Sequence, residues 1–288
     1  MSFPLLSILI PLYNYKYGID RLASILLHVS QCATPSSLEI IVHDDSKYPL
    51  LSSCELSSIQ SRFPFFKYRH NSIALGACGN WNSLLDRANG FYIWFIHHDE
   101  YPVFSPDSFS ILLRLLSHQS IDLIVLPIFK SSKVSILGLS FRFGCFHSRP
   151  DFLLPFCCIN PFLLLHVNVI GPPSSLIVKR SCASRFNSQL TWLIDVDWYI
   201  KNLQNIDSSR LFFFPRSLIT VVGDVSYEGS ITRQISSSIN SLRSLELFIL
   251  DPPRSGFAAI LFVLYYWLLR ASVLVFSLFT LKFYRFCG

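Results

Sequence analysis

Three groups of acidic residues stand out in this sequence, because each lies at the end of an apolar run or among aromatic side chains. A carboxylate directly after a buried strand is suited to holding a hard cation such as Mg²⁺ or Mn²⁺. A carboxylate desolvated by tryptophan side chains has a raised pKa and is suited to accepting a proton. Taken singly, each is equally typical of a turn or a helix start. The three groups are Asp44-Asp45, Asp99-Glu100 and Asp195-Val196-Asp197.

Each group has its own predicted chemistry. Asp99 is the candidate metal ligand, and a cation there would bridge phosphate oxygens and stabilise a diphosphate leaving group. Asp44 and Asp45 are placed to hydrogen-bond a nucleotide base or ribose. Asp195 lies close to Trp192 and Trp198 and is the candidate general base.

Strands and helices alternate over the first hundred residues, as the placement of these side chains requires. Continuous apolar runs predict strands over 5–10 (stopped by Pro11), 39–42, 65–68 and 91–96, and helical spacing predicts helices over 19–29 and 80–88. Runs of this kind indicate a mostly parallel, Rossmann-like α/β sheet with helices on both faces. Ligands of such sheets bind beyond the carboxyl ends of the strands. We therefore expect one pocket to contain Asn14, Asp44, Asp45, His98 and Asp99.

The second half of the chain is less regular. We predict strands over 122–126 and 174–179, a helix over 190–203 and one or two strands within 211–222. The phenylalanine-rich stretch 135–169 has no clean period, and no element is predicted there.

Composition limits the class of protein. The chain has 288 residues, of which 51% are hydrophobic and only 15% charged, so it can bury a large core, and the shortage of charge indicates membrane contact. The net charge of +6 is too small and too dispersed for a nucleic-acid partner. Eight cysteines without a CxxC pair predict buried free thiols and a cytosol-facing protein.

The carboxyl-terminal stretch 257–281 is apolar except for Arg270, two serines and a threonine. It is long enough to cross a bilayer, although a central arginine opposes a simple span. A membrane-associating helix is predicted, either single-pass or peripheral, with a packed core helix as the alternative.

Taken in order, the motifs resemble those of the family 2 glycosyltransferases, inverting enzymes with the GT-A fold that use nucleotide sugars. The resemblance is convincing over residues 5–100 and moderate over 170–205. The matching stretches are 7–14 (SILIPLYN), 39–46 (EIIVHDDS), 80–82 (NWN), 88–93 (ANGFYI), 95–100 (FIHHDE), 171–174 (GPPS) and 195–199 (DVDWY).

The resemblance implies a GT-A-like catalytic domain over 1–250, with a nucleotide-sugar-binding half (1–104) and an acceptor half (105–250), followed by the apolar tail 251–288. Asp99 would bind Mn²⁺ or Mg²⁺ as the last acid of the family's DxD motif, and Asp195 would deprotonate the acceptor hydroxyl. The acceptor would be a lipid-linked or polysaccharide glycan at the cytoplasmic face of the membrane. Contacts with the nucleotide-sugar donor are implied for Pro11, Tyr13, Asn14, Asp44, Asp45, Asn82 and His98.

The chain departs from the family pattern at two positions. His97 replaces the first acid of DxD, which predicts weaker metal binding, and Ile194 replaces the Glu that usually precedes the base. The absence of a QxxRW motif indicates addition of one sugar rather than processive synthesis. Two alternatives stay open: a catalytically degenerate relative acting as a membrane-bound assembly partner, and a nucleotidyltransferase on a similar sheet. A zinc site at His97-His98-Asp99 is disfavoured, because adjacent side chains at a strand end point in opposite directions.

Overall fold

The computed structural model describes residues 3–13, 18–32, 37–98, 100–136, 139–148, 153–215, 218–222 and 238–250, with a few helical residues between 256 and 268. The strands are β1 (Leu6–Leu12), β2 (Leu38–Asp44), β3 (Phe66–His70), β4 (Tyr92–Phe95), β5 (Glu100–Pro102), β6 (Leu123–Val125), β7 (Ile128–Ile136), β8 (Leu139–Ser148), β9 (Leu176–Lys179), β10 (Leu211–Phe213) and β11 (Ile219–Val222). The helices are α1 (Gly18–Cys32), α2 (Ser53–Arg62), α3 (Gly76–Arg87), α4 (Pro106–Ser117), α5 (Leu154–Ile159), α6 (Ile194–Gln204) and α7 (Ile239–Leu250).

A seven-stranded sheet in the order β10-β6-β9-β4-β1-β2-β3 forms the centre of the molecule. β4, β1, β2 and β3 are mutually parallel, whereas β9 runs antiparallel to both β4 and β6. The predicted mostly parallel α/β sheet is therefore confirmed. Alternate residues of β1 face opposite cores, with Ile8 packing on the α1 and α4 side and Leu9 on the α3 and α6 side.

A second sheet, in the order β5-β11-β7-β8, occupies part of the stretch for which no element is predicted. β7 and β8 form a long antiparallel pair, followed by α5 and a 3₁₀ helix, Pro161–Leu165. The register of the pair shifts between Ile128 and Phe129, and such an irregularity breaks the two-residue alternation by which a strand is detected in a sequence.

Two predicted boundaries in the first half of the chain are wrong, each for a structural reason. β1 continues through Pro11 to Leu12, because its neighbour β4 pairs only as far as Leu9 and the missing N–H of Pro11 lies beyond that ladder. α3 begins at Gly76 (φ +71°), four residues before the predicted start, because a carboxylate from another strand caps it. Neither α2 nor α4 is predicted from the sequence. α2 has no buried residue and begins with a Ser52/Glu55 capping box.

A buried polar network holds the amino-terminal edge of the sheet together. The hydroxyl of Ser7 donates to Glu39 Oε1 at 2.6 Å and accepts from the N–H of Gly90 at 2.8 Å, and Lys67 Nζ lies 2.6 Å from Glu39 Oε2. A Cβ at position 90 would lie 2.6 Å from both the nitrogen and the Oγ of Ser7, so only glycine fits this approach. The loop between α3 and β4 is thereby fixed against β1.

The predicted apolar tail, 257–281, lies for the most part outside the described residues. Within the part of the chain that the structure describes, no helix has both the length and the hydropathy needed to cross a bilayer. The cysteine prediction holds for Cys78 and Cys157, which are buried free thiols, but not for Cys54, which is exposed.

Candidate active site

A cavity of about 730 Å³ opens at the carboxyl ends of β1, β2 and β4, where the sequence predicts a pocket. Its wall combines strand ends of the first half of the chain with loops of the second half. Polar or aromatic lining residues are Tyr13, Asp45, Asn80, Trp81, His97, His98, His166, Asn168, Thr191, Trp192, Asp195 and Arg243.

Asp45 lies on the cavity wall, but its carboxylate is already engaged. Oδ1 accepts hydrogen bonds from Asn71 Nδ2 (3.0 Å) and from the N–H of Leu75 (2.8 Å), and Oδ2 accepts from the N–H of Gly76 (2.8 Å). These N–H groups belong to the start of α3, which has no side-chain cap of its own. Asp45 therefore fixes the amino terminus of α3 at the cavity and leaves little carboxylate surface for a ligand.

Asp44 is not brought to the cavity. Its side chain is fully buried on the side of the sheet that faces α1 and accepts from Tyr68 Oη (2.5 Å) and from the N–H groups of Ser46 (3.0 Å) and Leu50 (2.8 Å). Adjacent side chains of a strand point to opposite faces, and only Asp45 of the pair faces the cavity.

Of the two asparagines in the NWN motif, the cavity contains Asn80 and not Asn82. Asn80 Nδ2 donates to the carbonyl of His43 at 3.2 Å, whereas Asn82 is bound through both side-chain atoms to the backbone of Phe186. Two residues of helix correspond to a rotation of about 200°, so the two side chains lie on opposite sides of α3. Asn82, predicted to contact the donor, instead joins α3 to the loop at 186.

The end of β1 and the segment after β4 form the neighbouring wall. His98 Nδ1 donates to the carbonyl of Pro11 at 3.0 Å, which connects the two strand ends predicted to bind the donor. Tyr13 is 44% exposed on the same wall, and the Trp81 ring contacts His97 edge-on at 5.2 Å. Asn14 lies outside the described residues. Pro11, Tyr13 and His98 are thus side by side at the cavity.

Asp195 lies at the start of α6 on the opposite wall. Oδ1 accepts from the N–H of Val196 at 2.8 Å, and Oδ2 accepts from Asn168 Nδ2 at 3.3 Å. Burial raises the pKa of Asp195 to about 6; the backbone N–H groups of Val196 and Asp195 oppose this increase, and the charge of Glu246 adds to it. A carboxylate with a pKa of about 6 is largely ionised at neutral pH and is still basic enough to accept a proton.

The amino-terminal part of the chain matches one family model. Residues 7–142, just under half of the chain, match the glycosyl transferase family 2 model. This stretch is therefore similar to the family 2 glycosyltransferases. A search of curated proteins finds no match.

Solved structures with a similar fold extend over more of the chain. A crystal structure of S. aureus TarS (residues 1–349) with UDP-GlcNAc has a TM-score of 0.55 and 14% identity, covering 79% of this chain and 60% of that one. The mannosyltransferase PcManGT from Pyrobaculum calidifontis, solved with GDP-Man and Mn²⁺, has a TM-score of 0.52 and 13% identity, covering 89% of this chain and 66% of that one. This chain therefore shares their fold and spans about 60 to 66% of their length.

The described residues of this chain do not by themselves form a metal site. No cluster of three or more His, Cys, Asp or Glu side chains occurs among them, and the predicted ligand Asp99 lies outside them. Glu100 is 2% exposed; its Oε2 accepts from the N–H of His97 at 2.8 Å and its Oε1 from the Ser174 hydroxyl at 2.6 Å. Glu100 thus fixes the segment around Asp99 rather than offering a carboxylate to a cation.

Several residues of the site are not predicted from the sequence. Asn168 comes from the stretch without a clean period, and its proximity to Asp195 arises only in the fold. Arg243 and Glu246 lie on α7, for which no helix is predicted. A signal for them does exist, because each is a lone charge among the leucines of 239–250, a pattern typical of a helix that buries a polar contact.

Proposed function

We propose that this protein transfers a sugar from a nucleoside diphosphate sugar to a hydroxyl group of a lipid-linked or polysaccharide acceptor, with inversion at the anomeric carbon. The observation that supports the proposal most is that one cavity contains both sets of groups that the reaction needs. Pro11, Tyr13 and His98 line one wall, and Asp195 lies on the other. The complexes of the similar folds with UDP-GlcNAc and GDP-Man agree with a nucleotide-sugar donor.

In the proposed reaction, the acceptor hydroxyl attacks the anomeric carbon from the side opposite the diphosphate. The new glycosidic bond forms as the bond between the anomeric carbon and the phosphate oxygen breaks, so the nucleoside diphosphate leaves with the bonding electrons. Asp195 takes the hydroxyl proton, while Asn168 and the N–H of Val196 hold the carboxylate in place. The apolar wall around Trp192 and Leu193 keeps bulk water from competing with the acceptor.

A divalent metal ion is also part of this proposal. Mn²⁺ accompanies GDP-Man in one similar fold, and Asp99 is the residue of this chain that would contribute an oxygen ligand. A bound cation would neutralise charge on the leaving diphosphate. The proton transfer to Asp195 is argued without the cation, from Asp195, Asn168 and Val196.

The direct test is release of nucleoside diphosphate from UDP-GlcNAc and from GDP-mannose by the purified 288-residue chain, with Mn²⁺ or Mg²⁺. We expect turnover of at least one donor and a loss of about 10²–10⁴-fold in Asp195→Asn. Asp86→Asn is the matched control, because Asp86 is an exposed carboxylate that pairs with Arg185 outside the cavity. Equal rates in Asp195→Asn and Asp86→Asn would refute the assignment of the base. Binding of neither UDP nor GDP in calorimetry, with or without metal, would favour the degenerate relative instead.

We also propose that the protein associates with the cytoplasmic face of a membrane through apolar side chains that extend beyond the predicted tail. Phe248 on α7 is 83% exposed and Ile159 on α5 is 85% exposed, and the ring of Phe156 contacts that of Tyr265 with centroids 6.0 Å apart. Large apolar side chains exposed to this extent are typical of surfaces that dock on other molecules or on lipid. Tyr265, which Phe156 contacts, belongs to the apolar sequence 257–281.

Co-sedimentation with phosphatidylglycerol vesicles tests the association. We expect Phe248→Glu to reduce the bound fraction severalfold, because a charge on this face opposes its burial in lipid. Tyr48→Glu is the control, since Tyr48 is similarly exposed (71%) but lies in the loop after β2. A similar reduction in both variants would indicate a general charge effect and contradict the proposed surface.

A further inference from the structure

Glu246 of α7 is a buried carboxylate that binds backbone amides directly before the general base. It is 2% exposed, and Oε1 accepts from the N–H groups of Thr191 (2.5 Å) and Trp192 (2.8 Å). Oε2 accepts from the N–H groups of Trp192 (3.0 Å) and Leu193 (2.6 Å). No lysine, arginine or histidine forms an ion pair with Glu246 within the described ranges. Within these ranges, the charge is stabilised by the dipoles of the backbone N–H groups.

Of these amides, that of Leu193 belongs to the N-cap residue of α6, and those of Thr191 and Trp192 lie in the turn directly before it. Leu193 provides no side-chain cap. Glu246 therefore holds the turn that leads into α6, from a helix more than fifty residues further along the chain. The predicted helix start at residue 190 is wrong for this reason, because Thr191, Trp192 and Leu193 turn their amides towards Glu246 and the helix begins at Ile194.

Arg243, one turn before Glu246 on α7, binds the backbone at the start of the cavity loop that contains Asn168. Its Nη2 donates to the carbonyl oxygens of Leu165 (2.9 Å) and His166 (3.2 Å), at the carboxyl end of the 3₁₀ helix Pro161–Leu165. A cation at the carbonyl end of one helix and an anion at the amide end of another both have the favourable sign.

The two loops held by α7 are the loops that position the base. His166 precedes Asn168 by two residues, Leu193 precedes Asp195 by two residues, and Asn168 donates to Asp195. Building on the proposed function, we propose that α7 is the positioning element of the active site and that Glu246 is a positioning residue that acts through Asp195. In this arrangement Arg243 sets the place of Asn168, and Glu246 sets the place and the charge environment of Asp195.

The electrostatic part of this role can be measured separately from folding. Burial is the main cause of the raised pKa of Asp195, and the negative charge of Glu246 increases it further. Asp197 pairs with Lys201 at 2.6 Å. The charged or titratable groups around Asp195 on the neighbouring elements are Glu246 and Arg243 of α7, His166, Glu100, and Asp197 and Tyr199 of α6. Removing the charge of Glu246 should therefore lower the pKa of Asp195 and move the acid limb of the pH–rate profile to lower pH.

The experiment compares wild type, Glu246→Gln and Glu246→Asp, with Glu55→Gln as the matched control. Glu55 also binds a backbone N–H at a helix start, that of Ser52 at 2.8 Å, but it belongs to α2 and not to the cavity. Rates of nucleotide release from UDP-GlcNAc or GDP-mannose with Mn²⁺ are measured from pH 5 to 8. For Glu246→Gln we expect kcat to fall by about tenfold or more, KM for the donor to stay within about twofold, and the acid limb to move to lower pH. Glu55→Gln should change neither.

Glu246→Asp keeps the charge but shortens the side chain, so we expect a lower kcat with the acid limb near its wild-type position. This variant also keeps the test valid should Glu246→Gln fail to fold. A Glu246→Gln enzyme with unchanged kcat and an unchanged acid limb would overturn the proposal.

A second readout does not depend on turnover. The carboxyl ¹³C shift of Asp195, assigned by its loss in Asp195→Asn, is titrated in wild type and in Glu246→Gln, and amide exchange is measured over residues 190–196. A lower pKa of Asp195 and faster exchange in Glu246→Gln support the positioning role, and unchanged values overturn it. Should the wild type release no nucleotide from either donor, the proposed function fails while this titration still decides the role of Glu246.

Discussion

The sharpest test concerns Asp45 on the cavity wall. In the structure its carboxylate binds N–H groups at the start of α3, whereas the family resemblance implies that it contacts the nucleotide. In Asp45→Ala, three hydrogen bonds to a buried charged acceptor are lost, two of them from N–H groups at the start of a helix. Single caps are worth about 0.5–2 kcal/mol and hydrogen bonds to charged groups about 1.5–3 kcal/mol, so we expect a loss of about 2–4 kcal/mol. In a domain of this size that corresponds to a fall of about 5–15 °C in Tm.

The assay is thermal unfolding of wild type, Asp45→Ala and Asp45→Asn, each with and without a large excess of UDP or GDP. Asp45→Asn keeps one acceptor oxygen, so its Tm should lie between the other two. Because a ligand stabilises only the state that binds it, the increase in Tm caused by nucleotide reports affinity separately from the cap. A Tm of Asp45→Ala within about 2 °C of wild type would refute the capping argument. If UDP or GDP raises the Tm of Asp45→Asn as much as that of wild type, the charge of the carboxylate does not contribute to nucleotide binding.

Three further predictions follow from the same geometry. The kcat/KM of the wild type should fall about tenfold per pH unit below a midpoint near pH 6, because Asp195 must be ionised to act as a base; a pH–rate profile that is flat down to pH 5 would contradict this. Gly90→Ala should lower the free energy of unfolding by about 1–3 kcal/mol in urea titrations, since the new Cβ would overlap Ser7, whereas Ala88→Gly nearby is the control for a loop effect. Chelation by EDTA should abolish nucleotide release and Mn²⁺ should restore it in wild type but not in Asp99→Ala; turnover unaffected by EDTA would exclude the metal role.

The central sheet is predictable from the sequence because its strands are buried on both faces. β2, in which every residue is buried, has the apolar run Ile40, Ile41 and Val42 at its centre, and such a run is visible without any knowledge of its neighbours. β7 and β8 carry serines and lysines among their apolar residues and lack this signal. Their identity as strands depends on pairing with each other, which is information outside the local sequence.

The site is predictable in its position but less so in its individual residues. Parallel strands place their carboxyl ends at one edge, so Pro11, Asp45 and His98 meet at the cavity as expected. The choice between Asp44 and Asp45 depends on which face of β2 each occupies, and the choice between Asn80 and Asn82 depends on where α3 begins. A helix start set by a carboxylate from a distant strand, as for α3, leaves no trace in the sequence of the helix itself.

The carboxylates in and around the cavity differ in how completely hydrogen bonds compensate their charge, and that difference singles out the base. Asp44, Asp45 and Glu246 each accept three or more hydrogen bonds of 3.0 Å or less from backbone or side-chain donors. For Asp195, the described contacts with other residues are one N–H at 2.8 Å and the longer bond from Asn168 at 3.3 Å. A desolvated anion with few donors gains the most free energy by taking a proton, whereas a fully bonded carboxylate loses its bonds when it is protonated. Asp195 is therefore the carboxylate of this cavity that is best suited to accept the proton of an acceptor hydroxyl, and the others are suited to hold the loops around it.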